Sequence, residues 1–339
     1  MGNLINFKRF TKKSLYLLYT LIKDQPEFLN NFLTIKNKKI MHCINKVNLK
    51  LMIEEKTLTG HEGAVYCLIK IGENKIISGS RDFLIKVWEL ASGTCIKTLI
   101  GHKSSVFCLS KLSNTLIASG SHDETIKLWD YNSEECLKTL SGHCSVVRCL
   151  IKLNNNQMAS GSDDTTIKIT NYLNGKYLKT LCGHIDIVWY IIKVNDCQLA
   201  SGSQDLSIKI WDFTNGNCLR TFKGHDCPVI SLLKLNETQL ATGSWNYSIT
   251  IWNLNTGDCV KKLNGHNFFI TCLIKFNCKI MISGSEDKLI KVWDFIKGKC
   301  LLTLHGHTNN VWCVIKMNEK QIMSGSQDLT IQIWDLYGI

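Results

Sequence analysis

The sequence predicts an all-β protein, a closed ring of seven four-stranded antiparallel sheets preceded by a short helical arm, and three observations carry that expectation. The dipeptide Gly-His starts at Gly60, Gly101, Gly142, Gly183, Gly224, Gly265 and Gly306, every interval being 41 residues. The glycine of a [ST]-G-S tripeptide keeps the same step at Gly79, Gly120, Gly161, Gly202, Gly243, Gly284 and Gly325. Each unit also divides into four short runs rich in β-branched and aromatic residues, separated by turn residues. One such sheet cannot bury both of its faces, but sheets stacked around an axis can. The architecture expected is a seven-bladed β-propeller.

The elements follow in chain order. Residues 1–50 form a basic arm that reads as two helices: Leu15, Leu18, Tyr19 and Ile22 share one stripe, and Pro26 suits the first turn of a second helix carrying Phe28, Leu29, Phe32 and Leu33. Residues 51–339 form the propeller. In its first unit the strands are Val65 to Ile69, Lys75 to Ser78, Leu84 to Trp88 and Thr94 to Leu99, with turns at Gly72-Glu73-Asn74, Ser80-Arg81-Asp82 and Ala91-Ser92-Gly93. The last unit stops at Leu336 with three strands, while Leu51 to Leu58 occupies the fourth-strand phase ahead of the first Gly-His. The segment 51–58 is therefore expected to pair with Leu329 to Trp334 and close the ring.

Composition excludes several classes. With 45% hydrophobic and 20% charged residues the chain can bury a core, and its longest apolar run, Leu15 to Ile22, is too short to span a bilayer. That run follows four basic residues but lacks a small-residue cleavage site, so an intracellular, cytoplasmic location is expected, with the nucleus left open. Sixteen Cys include no C-x-x-C pair. Ten keep the repeat in two phases, Cys67, Cys108, Cys149, Cys272, Cys313 and Cys95, Cys136, Cys218, Cys259, Cys300, and read as small buried hydrophobes, not disulfide or metal ligands. Of the formal charge of +12, residues 1–50 carry +8 and the other 289 only +4. No nucleic-acid partner is expected for the body, and the arm is left as a weak contact for an acidic membrane surface.

Trp-Asp ends the units at Trp129-Asp130, Trp211-Asp212, Trp293-Asp294 and Trp334-Asp335, with variants Trp88-Glu89 and Trp252-Asn253. Together with the Gly-His starts this resembles the WD-repeat β-propeller family over residues 51–337. The resemblance implies a structural tetrad in five units: His61, Ser78, Asp82, Trp88; His102, Ser119, Asp123, Trp129; His184, Ser201, Asp205, Trp211; His266, Ser283, Asp287, Trp293; and His307, Ser324, Asp328, Trp334. Ser, His and Asp are also the groups of a nucleophilic triad, but an enzyme needs one site and not five. No P-loop, H-E-x-x-H or G-x-S-x-G is present. The chain is read as non-enzymatic, with no cofactor and no metal. The third unit has Thr170-Asn171 for Trp-Asp, and the fifth has Thr242 and Asn246 for Ser and Asp, leaving His225 a neutral partner.

The resemblance also places partner contacts on the narrow (top) face, three and five residues after the repeat His and just before the turn Asp. At those positions Tyr66, Phe107, Trp189, Trp245, Phe269 and Trp312 are aromatic, joined by Arg81 and Arg148, and such residues dominate interface hot spots. The function expected is a non-enzymatic scaffold binding peptides or protein surfaces of other proteins in a multiprotein complex. The alternative is a phosphopeptide reader such as the substrate-recognition subunit of a ubiquitin ligase, with Arg81 and Arg148 gripping phosphate.

Overall fold

Each of the first six units folds as four strands, and burial falls from the inner strands to the outer one. The computed structural model describes residues 56–336, so the arm expected to be helical and the first part of the expected closing strand lie outside the described residues. In the first blade the strands are Val65–Lys70, Lys75–Ser80, Ile85–Glu89 and Thr94–Leu99, paired in that order. The second strand is buried from Ile76 to Ser80 because sheets lie on both its flanks, whereas the outer strand is exposed at Thr94 and Ile96. Six further sheets repeat this plan, giving a seven-bladed propeller of four-stranded antiparallel sheets. The first strand of each blade contacts the first strands of both neighbours, so seven inner strands surround the axis.

The glycine of the [ST]-G-S tripeptide is explained by that crowding. A Cβ on Gly79 would stand 2.7 Å from Cys67 Sγ and 2.7 Å from Val106 Cγ1 of the next blade. Its absence lets the neighbouring inner strand lie against the second strand. The apolar clusters accordingly span blade boundaries: Ile77, Ile85 and Val87 of the first blade pack with Leu109, Ile117 and Trp129 of the second.

The seventh blade is assembled from both ends of the described chain. Lys56–Leu58 pairs antiparallel with the strand Ile331–Asp335, Lys56 opposite Ile333 and Leu58 opposite Ile331. Leu58 is 1% exposed and packs with Val65, Trp88 and Met323. Outer strands are also strapped to the following blade: Lys56 Nζ donates to Leu90 O (2.8 Å), Arg220 Nη1 to Leu254 O (2.8 Å) and Lys261 Nζ to Ile296 O (2.7 Å).

The two cysteine phases separate. Cys67, Cys108, Cys149 and Cys272 are buried on inner strands, and burial drives their thiols up, to about 12 for Cys149 and about 11 for Cys272. Cys136, Cys218, Cys259 and Cys300 are exposed, correcting the expectation of burial. They sit on outer strands, where one flank has no blade beyond it. Among the described residues no group of three or more His, Cys, Asp or Glu could hold a metal ion.

Candidate functional site: the loop face and its buried supports

The support beneath the loop face is a chain of hydrogen bonds running through each blade. In the first, Trp88 Nε1 donates to Ser78 Oγ (2.7 Å), which lies 2.7 Å from His61 Nε2, and His61 Nδ1 lies 2.7 Å from Asp82 Oδ2. An ionised carboxylate only accepts, so Nδ1 carries a proton and donates to Asp82, while Ser78 Oγ accepts from the indole and pairs with Nε2. The same links join His102, Ser119, Asp123 and Trp129, then His184, Ser201, Asp205 and Trp211, at 2.6 to 2.8 Å. They recur through His266, Ser283, Asp287 and Trp293, and through His307, Ser324, Asp328 and Trp334. Each of these serines has 0% exposure, so none can meet a substrate in this arrangement.

The aspartate is the hinge between support and surface. Burial alone would raise the carboxyls of Asp82, Asp123, Asp205, Asp287 and Asp328, yet the histidine hydrogen bond and nearby N–H donors outweigh it and hold them below the ordinary range. Asp82 Oδ2 takes the Glu62 N–H and Oδ1 the Leu84 N–H, both at 3.0 Å. Those two bonds tie the Gly-His loop to the turn between the second and third strands. Phe83, inside that turn, is held left-handed at φ 72°, and so is one residue in the matching turn of every blade, from Glu124 to Leu329. Such a backbone costs of order 1 kcal/mol or more for a residue with a side chain, and the aspartate bonds offset it.

Two blades depart. In the third, Ser160 keeps His143 (2.7 Å) and Asp164 (2.6 Å from His143), but Thr170 replaces the indole donor. In the fifth, Thr242 bridges His225 and Trp252 at 2.9 Å each. Asn246 does not partner His225 there, which corrects the sequence expectation: its oxygen is spent on Ser248 N (3.1 Å) and Ser248 Oγ (2.7 Å). His225 is left buried without a carboxylate on its ring, and burial, then Lys262, lower its pKa to about 4.

On the loop face, a bulge aims the side chains. In every blade the pairing of first and second strands slips at one residue: Tyr66, Phe107, Arg148, Trp189, Ile230, Thr271 and Trp312. A bulged residue leaves the ladder and is turned out of the pleat. Five of the eight residues singled out in the sequence as partner contacts are therefore bulge residues, and they touch in series. Trp312 meets Tyr66 edge-on at 5.6 Å, and Tyr66 stacks on Phe107 at 4.7 Å. The Arg148 guanidinium then lies 4.7 Å from the Phe107 ring and 4.6 Å from the Trp189 ring. Trp189 faces Trp245 at 6.5 Å, and Trp245 stacks on Phe269 at 4.8 Å. Phe269 continues to Phe268 (4.8 Å) and Tyr247 (5.8 Å), exposed rings that the sequence reading passed over although Phe268-Phe269 stands in the loop after a Gly-His. The belt breaks at Thr271, whose hydroxyl donates to Val311 O (2.5 Å).

The two arginines differ. Arg148 gives Nε to Asp163 Oδ1 (2.6 Å) and Nη2 to Asp163 Oδ2 (2.7 Å), so one edge of its guanidinium is held by a carboxylate and its faces lie against rings. Arg81 is exposed and lies outside the belt contacts. Burial raises the Tyr66 hydroxyl, with Arg81 and Arg148 pulling the other way, and burial likewise raises the Glu286 carboxyl beside the break. Trp189 Nε1 donates to Gln204 (2.9 Å), whereas Trp312 Nε1 is buried without a partner.

A family model described as IFT122 first beta-propeller matches residues 69–335, which reach from the first blade into the last. No curated protein matches the chain.

Proposed function

The chain belongs to the IFT122 first beta-propeller family, and from that premise we propose that it is a non-enzymatic interaction module of WD-repeat type that holds a peptide or protein surface of a complex partner on its aromatic belt. The observation that carries the reading is the unbroken series from Trp312 through Tyr66, Phe107, Arg148, Trp189 and Trp245 to Phe269, all only partly buried. Large rigid rings on a scaffold fixed by buried hydrogen bonds lose little entropy on binding and bury much apolar area. The cytoplasm is the location proposed with it, resting on a cysteine-rich chain without a C-x-x-C pair.

A phosphopeptide reader of the ubiquitin-ligase kind needs free guanidinium forks. Asp163 already takes the Nε–Nη2 edge of Arg148 and answers its charge, and two rings lie over its faces, which leaves Arg81 as the one exposed guanidinium of the two. Affinity capture separates the two. Binding lost in Trp189→Ala and Trp312→Ala but indifferent to phosphatase supports the scaffold; capture abolished by phosphatase and by Arg81→Ala, with both Trp variants still binding, overturns it.

A further inference from the structure

At the opposite end of the blades a second ring occurs, built of lysine. The last residue of every inner strand is Lys: Lys70, Lys111, Lys152, Lys193, Lys234, Lys275 and Lys316, again 41 apart. Each Nζ donates to the carbonyl that immediately follows the lysine of the preceding blade. Lys111 reaches Ile71 O (3.1 Å), Lys152 Leu112 O (2.5 Å), Lys193 Leu153 O (2.9 Å) and Lys234 Val194 O (2.8 Å). Lys275 reaches Leu235 O, Lys316 Phe276 O (2.7 Å) and Lys70 Met317 O (2.7 Å), so the series closes on itself. Because the inner strands surround the axis, seven ammonium groups encircle it where those strands end.

Their charge is incompletely answered. Glu73, Asp196, Glu237 and Glu319, one turn residue per blade, pair with Lys70, Lys193, Lys234 and Lys316. These carboxylates are 82 to 97% exposed, and exposed pairs of this kind contribute little. The same turn position holds Asn114, Asn155 and Cys278 in the second, third and sixth blades. Lys111, Lys152 and Lys275 accordingly have no ion pair among the described residues. An ammonium has three donors, and a single carbonyl uses one. The remaining donors, with like charges gathered round one axis, make a focused positive field.

We propose that this lysine ring binds a polyphosphorylated anion, with Lys111 and Lys152 as its principal contacts. These two stand at equivalent positions on adjacent blades, neither in an ion pair among the described residues, and the neutral side chains of Asn114 and Asn155 occupy the turns where other blades carry a carboxylate. Clustered phosphates supply the acceptors that several converging ammonium groups need. The chemistry is common to a soluble inositol polyphosphate and to a phosphoinositide headgroup. The site lies at the other end of the blades from the aromatic belt, so its failure leaves the proposed function untouched.

Calorimetric titration of the full chain with inositol hexakisphosphate and with inorganic tripolyphosphate tests the proposal. Binding that weakens about tenfold or more in Lys111→Gln/Lys152→Gln, is kept in Lys111→Arg/Lys152→Arg, and falls with added salt supports it. Should the glutamine variant not fold, Asp196→Asn/Glu237→Gln leaves every lysine strap in place, and tighter binding by about threefold supports the same site. No heat and no thermal shift with either phosphate, or sulfate binding as well at matched ionic strength, overturns it; so does unchanged affinity in the glutamine variant. Vesicle arms then assign the source. Capture on phosphoinositide vesicles, reversed by inositol hexakisphosphate, points to a headgroup, and soluble binding alone points to a free polyphosphate.

Discussion

Thr170 faces Tyr177 across the third and outer strands of the third blade, at the register where Trp88 faces Cys95 in the first and Trp129 faces Cys136 in the second. Large and small have changed places. The Tyr177 ring lies against Gly142 just as the indoles of Trp88 and Trp129 lie against Gly60 and Gly101. Volume is conserved but polar pairing is not, since Thr170 Oγ1 and Tyr177 Oη are both buried without a partner. Thr170→Trp alone should overfill the site and destabilise by about 1–3 kcal/mol. Combined with Tyr177→Cys it should recover that loss and add about 1 kcal/mol by supplying the missing donor to Ser160. Denaturation of all four corners of the cycle measures the coupling, and strict additivity would show that the pair does not act as a unit.

His225 gives the fifth blade a pH response. Its folded pKa is depressed to about 4, while an unfolded histidine titrates near about 6.5, so between those values the unfolded chain binds more protons. The contribution is therefore complete above roughly pH 6.5 and is lost as pH falls toward 4, by on the order of 1–3 kcal/mol. The depressed tetrad carboxyls act lower: theirs is present above the ordinary carboxylate range and lost only as pH falls beneath it. Asn246→Asp should give His225 the partner that its counterparts have and flatten the response. Amide exchange of the fifth blade near about pH 5 and pH 7 reads this, and an unaltered profile in the variant rules His225 out as the cause.

Arg148 holds the belt together, whereas Arg81 does not. Arg148→Lys keeps the charge but loses the two-point bond to Asp163 and the flat contact with Phe107 and Trp189. A loss of about 1–3 kcal/mol and reduced capture of partner are expected. Arg81→Ala, on an exposed side chain, should change stability by under about 0.5 kcal/mol. Thermal midpoints that rank the two variants the other way round would contradict this account of the belt.

Leu58 tests the closure. It is the buried end of the strand that completes the seventh blade, so Leu58→Ala should cost about 2–4 kcal/mol. Protection should fall first in Ile331–Asp335 and in the neighbouring first blade. Exchange that rises evenly around all seven blades would mean that the seam is no weaker than any other boundary.

The repeat made most of this structure legible. One period fixed the blade count, and alternation fixed the strands, because both depend on local spacing. What escaped depends on relations between strands or blades. Tyr177 occupies a phase that holds Cys95, Cys136, Cys218, Cys259 and Cys300 elsewhere, yet only the register shows that it stands in for a tryptophan. The sequence gives Asn246 the right place to meet His225, but its oxygen closes on Ser248 in the turn, a competition between two nearby partners that spacing does not decide. Lys70 and its six equivalents were present at the same 41-residue step, but a near-neutral total for the body hid them. Net charge averages over a surface, and a field depends on where the charges sit.

The pairing of Leu58 with Ile331 has a consequence for how the molecule is made. During synthesis one half of that pair exists 273 residues before the other, so six blades can form while the seventh cannot. Until then the short leading strand and the flank of the first blade have no neighbour to lie against, which favours either a waiting chaperone or a stray association with another nascent chain. The final folding event is thus a long-range capture, and its speed should depend on how freely the early strand can search for its late counterpart.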